Sequence, residues 1–68
     1  MKTSYFTFGF GHAHVVGDFI YDKDVVVKIT AEEPRDVMFM NFGPKWAMEY
    51  DKCPDLSFYS RGVKELVV

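Results

Sequence analysis

The chain is expected to fold as an α+β domain in the order β-β-α-β-β, with one helix packed on a three- to four-stranded, mostly antiparallel sheet. Three observations lead there. Aromatic residues alternate with small or polar ones from Ser4 to Phe10, a β-branched run fills Val25 to Ile29, and a helix signal at Thr30–Pro34 is closed by Gly43-Pro44. Residues 1–68 contain no repeat, linker or low-complexity tract, so they read as a single domain.

In the first strand, Phe6, Phe8 and Phe10 share one face, and Tyr5, Thr7 and Gly9 the other. The chain loosens from Gly11 to Gly17, and Gly17-Asp18 has turn chemistry. Phe19-Ile20-Tyr21 opens a second strand that Asp22-Lys23-Asp24 interrupts. It resumes as Val25-Val26-Val27-Lys28-Ile29, with Val25, Val27 and Ile29 inward. These two strands pair antiparallel across a long irregular connection.

Thr30-Ala31-Glu32-Glu33 has the form of a capping box, in which the Thr30 hydroxyl accepts from the Glu33 amide and the Glu33 carboxylate reaches back. Pro34 stands in the first turn, where a missing amide proton matters least. The helix runs to about Phe42 and ends at Gly43-Pro44. Ala31, Pro34, Met38 and Phe42 form the buried stripe, Val37 and Phe39 flank it, and Met40 points outward. Lys45 to Tyr50 alternates again, placing Trp46, Met48 and Tyr50 on one face. Asp51 to Asp55 is a turn holding Cys53-Pro54, Asp55 to Ser60 holds one loose helical turn, and Val63 to Val68 is a last edge strand.

A chain of 68 residues builds one small core, and domains of that size bury only about 60% of their unfolded surface. Aromatic residues make up 18% of the chain and compensate, because rings bury the most area per residue ordered. Their surplus also points to an interface, a homodimer being one form. The single cysteine, Cys53, excludes an internal disulfide, and no secretory segment or long apolar run is present, so a cytoplasmic location is expected. A net charge of −2 argues against a duplex nucleic-acid binder, and no membrane partner is expected.

Four constellations carry candidate chemistry. His12-Ala13-His14 puts two imidazoles on one side of an extended stretch, a bidentate metal chelate that Asp18, Asp22 or Asp24 would have to complete. Gly9-Phe10-Gly11-His12 permits converging backbone amides that suit an anion, although the spacing matches neither a P-loop nor a dinucleotide fingerprint. Asp18, Asp22 and Asp24 form an acidic loop able to dock on a basic groove. Met40, Tyr5, Phe58 and Tyr59 form an adaptable apolar patch. No nucleophile elbow or cysteine signature is present, so no enzymatic activity and no cofactor are expected.

Tyr5-Phe6-Thr7-Phe8-Gly9-Phe10-Gly11-His12 resembles the start of a group of short bacteriophage proteins that open Tyr-Phe-Thr-Phe-Gly-x-Gly-His. Phe42-Gly43-Pro44-Lys45-Trp46-Ala47-Met48-Glu49-Tyr50-Asp51 is similar to their second block, Phe-Gly-x-Lys-Trp-Ala followed by an aromatic-ended strand. The likeness spans roughly the first three-quarters of the chain; Pro34 and His14 depart from it. No catalytic or binding residue is carried over.

What the resemblance implies is a phage accessory protein in the host cytoplasm that binds a host protein stoichiometrically. Such a protein would be an anti-defence inhibitor, an anti-CRISPR for example, or a host-takeover modulator. The expected contact residues are His12, Asp18, Asp22, Asp24 and Met40. The alternative is an oligomeric module that sequesters an anionic small molecule such as a nucleotide, lined by Gly9, Gly11, His12 and Trp46. A metal-dependent enzyme on His12 and His14 ranks third.

Overall fold

A computed structural model of the chain describes residues 1–66. The strands are β1 (Lys2–Thr7), β2 (His14–Val16), β3 (Phe19–Tyr21), β4 (Val26–Ala31), β5 (Met48–Tyr50) and β6 (Val63–Leu66); the helix α1 (Pro34–Phe42) follows β4, and a 3-10 turn (Leu56–Phe58) precedes β6. Four strands make one sheet in the order β5-β1-β4-β6, and β2 and β3 make a second, two-stranded sheet. β1 pairs antiparallel with both β4 and β5, whereas β6 runs parallel to β4. The fold is α+β, as the periodicity implies.

Register explains why the helix sits where it does. Phe6 lies opposite Val27 and Ser4 opposite Ile29, so one face of the sheet centre presents Phe6, Val27 and Ile29. Pro34, Met38 and Phe42, spaced four apart on α1, are buried on that face, and all six residues are 0–5% exposed. Gly43 ends the helix at φ 62°, its amide donating to the Phe39 carbonyl at 2.9 Å. On the other face Thr7 and its partner Val26, at one end of the β1–β4 pairing, are also buried.

Four expectations are corrected. Phe10 does not continue the inward row of Phe6 and Phe8: β1 ends at Thr7, the chain reverses at Gly9–His12, and Phe10 is 89% exposed. Phe19–Tyr21 does not extend into the Val26–Ala31 strand; it pairs with His14–Val16, which reads as loop in sequence because three residues are too few to show a period. The capping box does not form. Thr30 belongs to β4, opposite Thr3, and the two hydroxyls bond each other at 2.8 Å, while Glu33 caps the helix without a side-chain bond. Strand pairing out to Ala31 outcompetes the local cap.

The fourth concerns Trp46. It precedes β5 and packs edge-on against Phe6 at 5.1 Å, on the helix side of the sheet, whereas Met48 and Tyr50 pair across from Thr7 and Tyr5 on the other face. The alternation breaks where the Trp46 amide donates to the Pro44 carbonyl and the Ala47 amide to the Thr7 carbonyl. The last strand is described through Leu66, and the remainder of the expected span lies outside the described residues.

Candidate functional site

The excursion between β1 and β4 carries nearly every candidate residue, and its geometry begins with a turn. The His12 amide donates to the Gly9 carbonyl at 3.1 Å, and Gly11 has φ 84°, the backbone of a type II turn with Phe10 and Gly11 at its centre. The Gly9 amide donates in turn to His12 Nδ1 at 3.0 Å. The amides of Gly9 and His12 are thus taken by this reciprocal pair rather than converging on a vacant anion site. The acceptor role of Nδ1 assigns the neutral tautomer with its proton on Nε2. A metal at Nδ1 would displace the Gly9 amide; a metal at Nε2 would move the proton to Nδ1, facing another N–H. This loop conformation suits structure better than coordination.

His14 lies elsewhere. Its ring packs among Phe8 at 5.7 Å and Phe42 at 5.1 Å, and its Nε2–H donates to the Lys45 carbonyl at 3.1 Å. Tyr21 closes the same cluster at 4.9 Å from Phe42, with Phe19 edge-on to it at 4.8 Å. Burial raises the Tyr21 phenol above its ordinary range by disfavouring the phenolate. The β2–β3 hairpin is therefore attached to the helix end through His14, Tyr21 and Phe19. Among the described residues no three His, Cys, Asp or Glu side chains come together as a metal-holding group.

The acidic loop splits into a tethered part and a free part. Asp22 Oδ1 accepts from the Asp24 amide at 3.0 Å, a turn made by an aspartate on its own backbone, and Asp22 Oδ2 accepts from Arg61 Nη2 at 2.6 Å. These bonds, the Asp24 amide first, hold the Asp22 carboxyl below the usual carboxylate range. Asp24 bonds Lys23 at 3.2 Å, and its carbonyl accepts from the Arg61 amide at 2.9 Å. Next to this bond, the Val26 amide donates to the Gly62 carbonyl. Asp22 and Asp24 thereby clamp the start of β6 alongside β4. Asp18, at the hairpin turn, is exposed and takes no part in these clamp bonds.

Of the pocket residues, Gly9 stands close to the His12 ring and to Ala47, next to Trp46. The Trp46 ring also meets Phe39 at 5.9 Å, and its Nε1 is buried without a hydrogen-bond partner. The indole packs between Phe6 and Phe39, and among the described residues no pocket of ligand size opens. Met40 is 86% exposed on the outer side of α1, as its position implies.

What sequence reasoning missed is the exposed apolar set on the excursion itself. Phe10 stands at the tip of its turn with Lys23 Nζ 5.7 Å from the ring centre. Val15 and its cross-strand partner Ile20 are also exposed, on the hairpin face opposite His14 and Tyr21. The signal available in the sequence was the two glycines around Phe10, which end a strand as readily as they loosen it. No helix among the described residues is long and apolar enough to cross a membrane. Comparison with protein-family models, with curated proteins and with solved structures finds no match to this chain.

Proposed function

We propose that this chain is a small phage-type accessory protein that acts stoichiometrically by binding a host protein, with Phe10 as the anchor. The observation that carries this reading is a large aromatic side chain, 89% exposed, on a turn held by two reciprocal hydrogen bonds. A turn whose backbone is already fixed loses little conformational freedom on docking, and aromatic anchors dominate interface energetics. The contact surface shifts accordingly from the acidic residues to the Gly9–His12 turn. Asp22 and Asp24 are engaged by Arg61, whereas Asp18 and Met40 remain accessible. The bacteriophage resemblance supplies the host protein as partner, and inhibition of a defence protein fits a partner-blocking mode of action. The small-molecule alternative draws no support from the turn, where the His12 amide donates to the Gly9 carbonyl and the Gly9 amide to the His12 ring.

The test is capture of host proteins on the tagged chain, with Phe10→Ser and Asp18→Lys variants in parallel and the stoichiometry read by native mass spectrometry. One host protein held in a defined integral ratio, lost with Phe10→Ser and weakened at most slightly with Asp18→Lys, is the expected result. A partner retained fully by Phe10→Ser would refute the anchor, and a nucleotide co-purifying with the chain in place of a protein would refute the class.

A further inference from the structure

The described sheets leave four strand edges open: β5 and β6 at the two ends of the larger sheet, and β2 and β3 in the hairpin. Exposed edges present unpaired amides and carbonyls, and proteins guard them with charge. Three of the four are guarded. Glu49 lies within β5, with Asp51 next to it; β6 contains Lys64 and Glu65; β3 runs directly between Asp18 and Asp22. The β2 edge has no such guard, because Ala13, His14, Val15, Val16 and Gly17 carry no acidic or lysine or arginine side chain.

The turn settles which backbone groups face outward from that edge. Gly17 has φ 59° and Asp18 is not in the positive-φ region, so Gly17-Asp18 is a two-residue type II′ turn closed by Val16 and Phe19. In such a hairpin Val16 and Phe19 exchange hydrogen bonds with each other, and bonding alternates along the ladder. The amide and carbonyl of Val15 therefore point away from β3. Val15 is 71% exposed and Val16 56% exposed.

We propose that β2 pairs antiparallel with β2 of a second copy of this chain, about a two-fold axis at Val15, joining two hairpins into one four-stranded sheet. Under that symmetry Val15 meets Val15 of the copy, His14 meets Val16, and Ala13 meets Gly17. The match is self-complementary: apolar residue opposes apolar residue at the axis, the outer Ala13–Gly17 pair is small enough for close backbone approach, and no like charges are brought together. An uncharged edge selects poorly for a charged foreign strand but suits its own copy. With a net charge of −2, long-range repulsion between copies is weak. Three-residue strands bury little surface, so the association belongs to the weak class and assembles in the micromolar-to-millimolar range. The inference does not rest on the host-partner reading and is tested with the purified chain alone.

The experiment is sedimentation equilibrium of the parent, Val15→Lys and Met40→Lys across that range, with amide hydrogen exchange of the parent at its two ends. The expected result is a parent mass rising from one chain to two, with Val15→Lys monomeric throughout because it sets two lysines against each other at the axis. Met40→Lys, altered on the outer helix face, should follow the parent. The Val15 amide should exchange rapidly in the dilute protein and at least tenfold more slowly in the concentrated one. A parent that stays monomeric would overturn the proposal. So would a dimer that survives Val15→Lys, a dimer lost on Met40→Lys, or a Val15 amide that is equally fast at both concentrations. The exchange measurement requires no variant and holds even if Val15→Lys folds poorly.

Discussion

Replacing Asp22 by Asn asks whether the acidic loop is a structural clamp, and the structure supplies the magnitude. The carboxylate accepts two bonds, one from the Asp24 amide at 3.0 Å and one from Arg61 at 2.6 Å. A hydrogen bond to a charged group contributes about 1.5–3 kcal/mol net when enclosed. The Asp22 and Arg61 side chains are 24% and 34% exposed, so solvent moves their ion pair toward the roughly 0.2–1 kcal/mol of surface pairs. Asparagine retains an oxygen for the Asp24 amide and loses the charge, so Asp22→Asn should cost about 1 kcal/mol at neutral pH. For a chain of 68 residues, total stability is on the order of 3–10 kcal/mol, which makes that loss measurable.

The pH dependence follows from the sign of the shift. Asp22 is held below the usual carboxylate range in the folded chain, so its stabilisation is fully present above that range and is lost progressively as the pH falls from it through the lowered folded-state value. The difference between parent and Asp22→Asn should accordingly shrink between pH 7 and pH 3. Urea unfolding followed by the fluorescence of Trp46, the single tryptophan, reads this directly. A double-mutant cycle with Arg61→Met should give a coupling of about 0.5–1 kcal/mol at pH 7 that is smaller at pH 3. A variant equally destabilised at both pH values, with no coupling to Arg61, would refute the clamp and return Asp22 to the set of free contact residues.

Two further outcomes are expected. Met38→Ala removes a fully buried side chain beneath α1 and should cost about 2–5 kcal/mol, whereas exposed Met40→Ala should stay within about 0.5 kcal/mol by the same urea assay. Equal losses at the two positions would mean that the helix is rotated from the face described. Gly11→Ala forces a side chain into φ 84° and should cost about 1–2 kcal/mol, while Gly9→Ala, whose new carbon would meet its neighbours at 3.5 Å or beyond, should be nearly neutral. Thermal unfolding of the two variants separates them, and a Gly9→Ala loss as large as that of Gly11→Ala would contradict the turn.

Local pattern carried the elements whose partners lie close by or whose period is long enough to count. The alternation through Phe6 and Phe8, the run at Val25–Ile29, the stripe of Pro34, Met38 and Phe42, and the stop at Gly43 all stand in the structure, because each reports a side-chain period or a backbone angle that the residue itself imposes. Tertiary structure decided the rest, since several groups are claimed by residues far away in the chain. Thr30 looks like a cap until Thr3 lies across from it, and Asp22 looks like a free charge until Arg61, 39 residues later, is brought beside it by the parallel pairing of β6 with β4. Phe10 extends an apolar row on paper, yet the strand ends at Thr7 and the ring is turned to solvent. Periodicity states which residues share a face; only the folded chain states where that face ends and which distant partner reaches a polar group first.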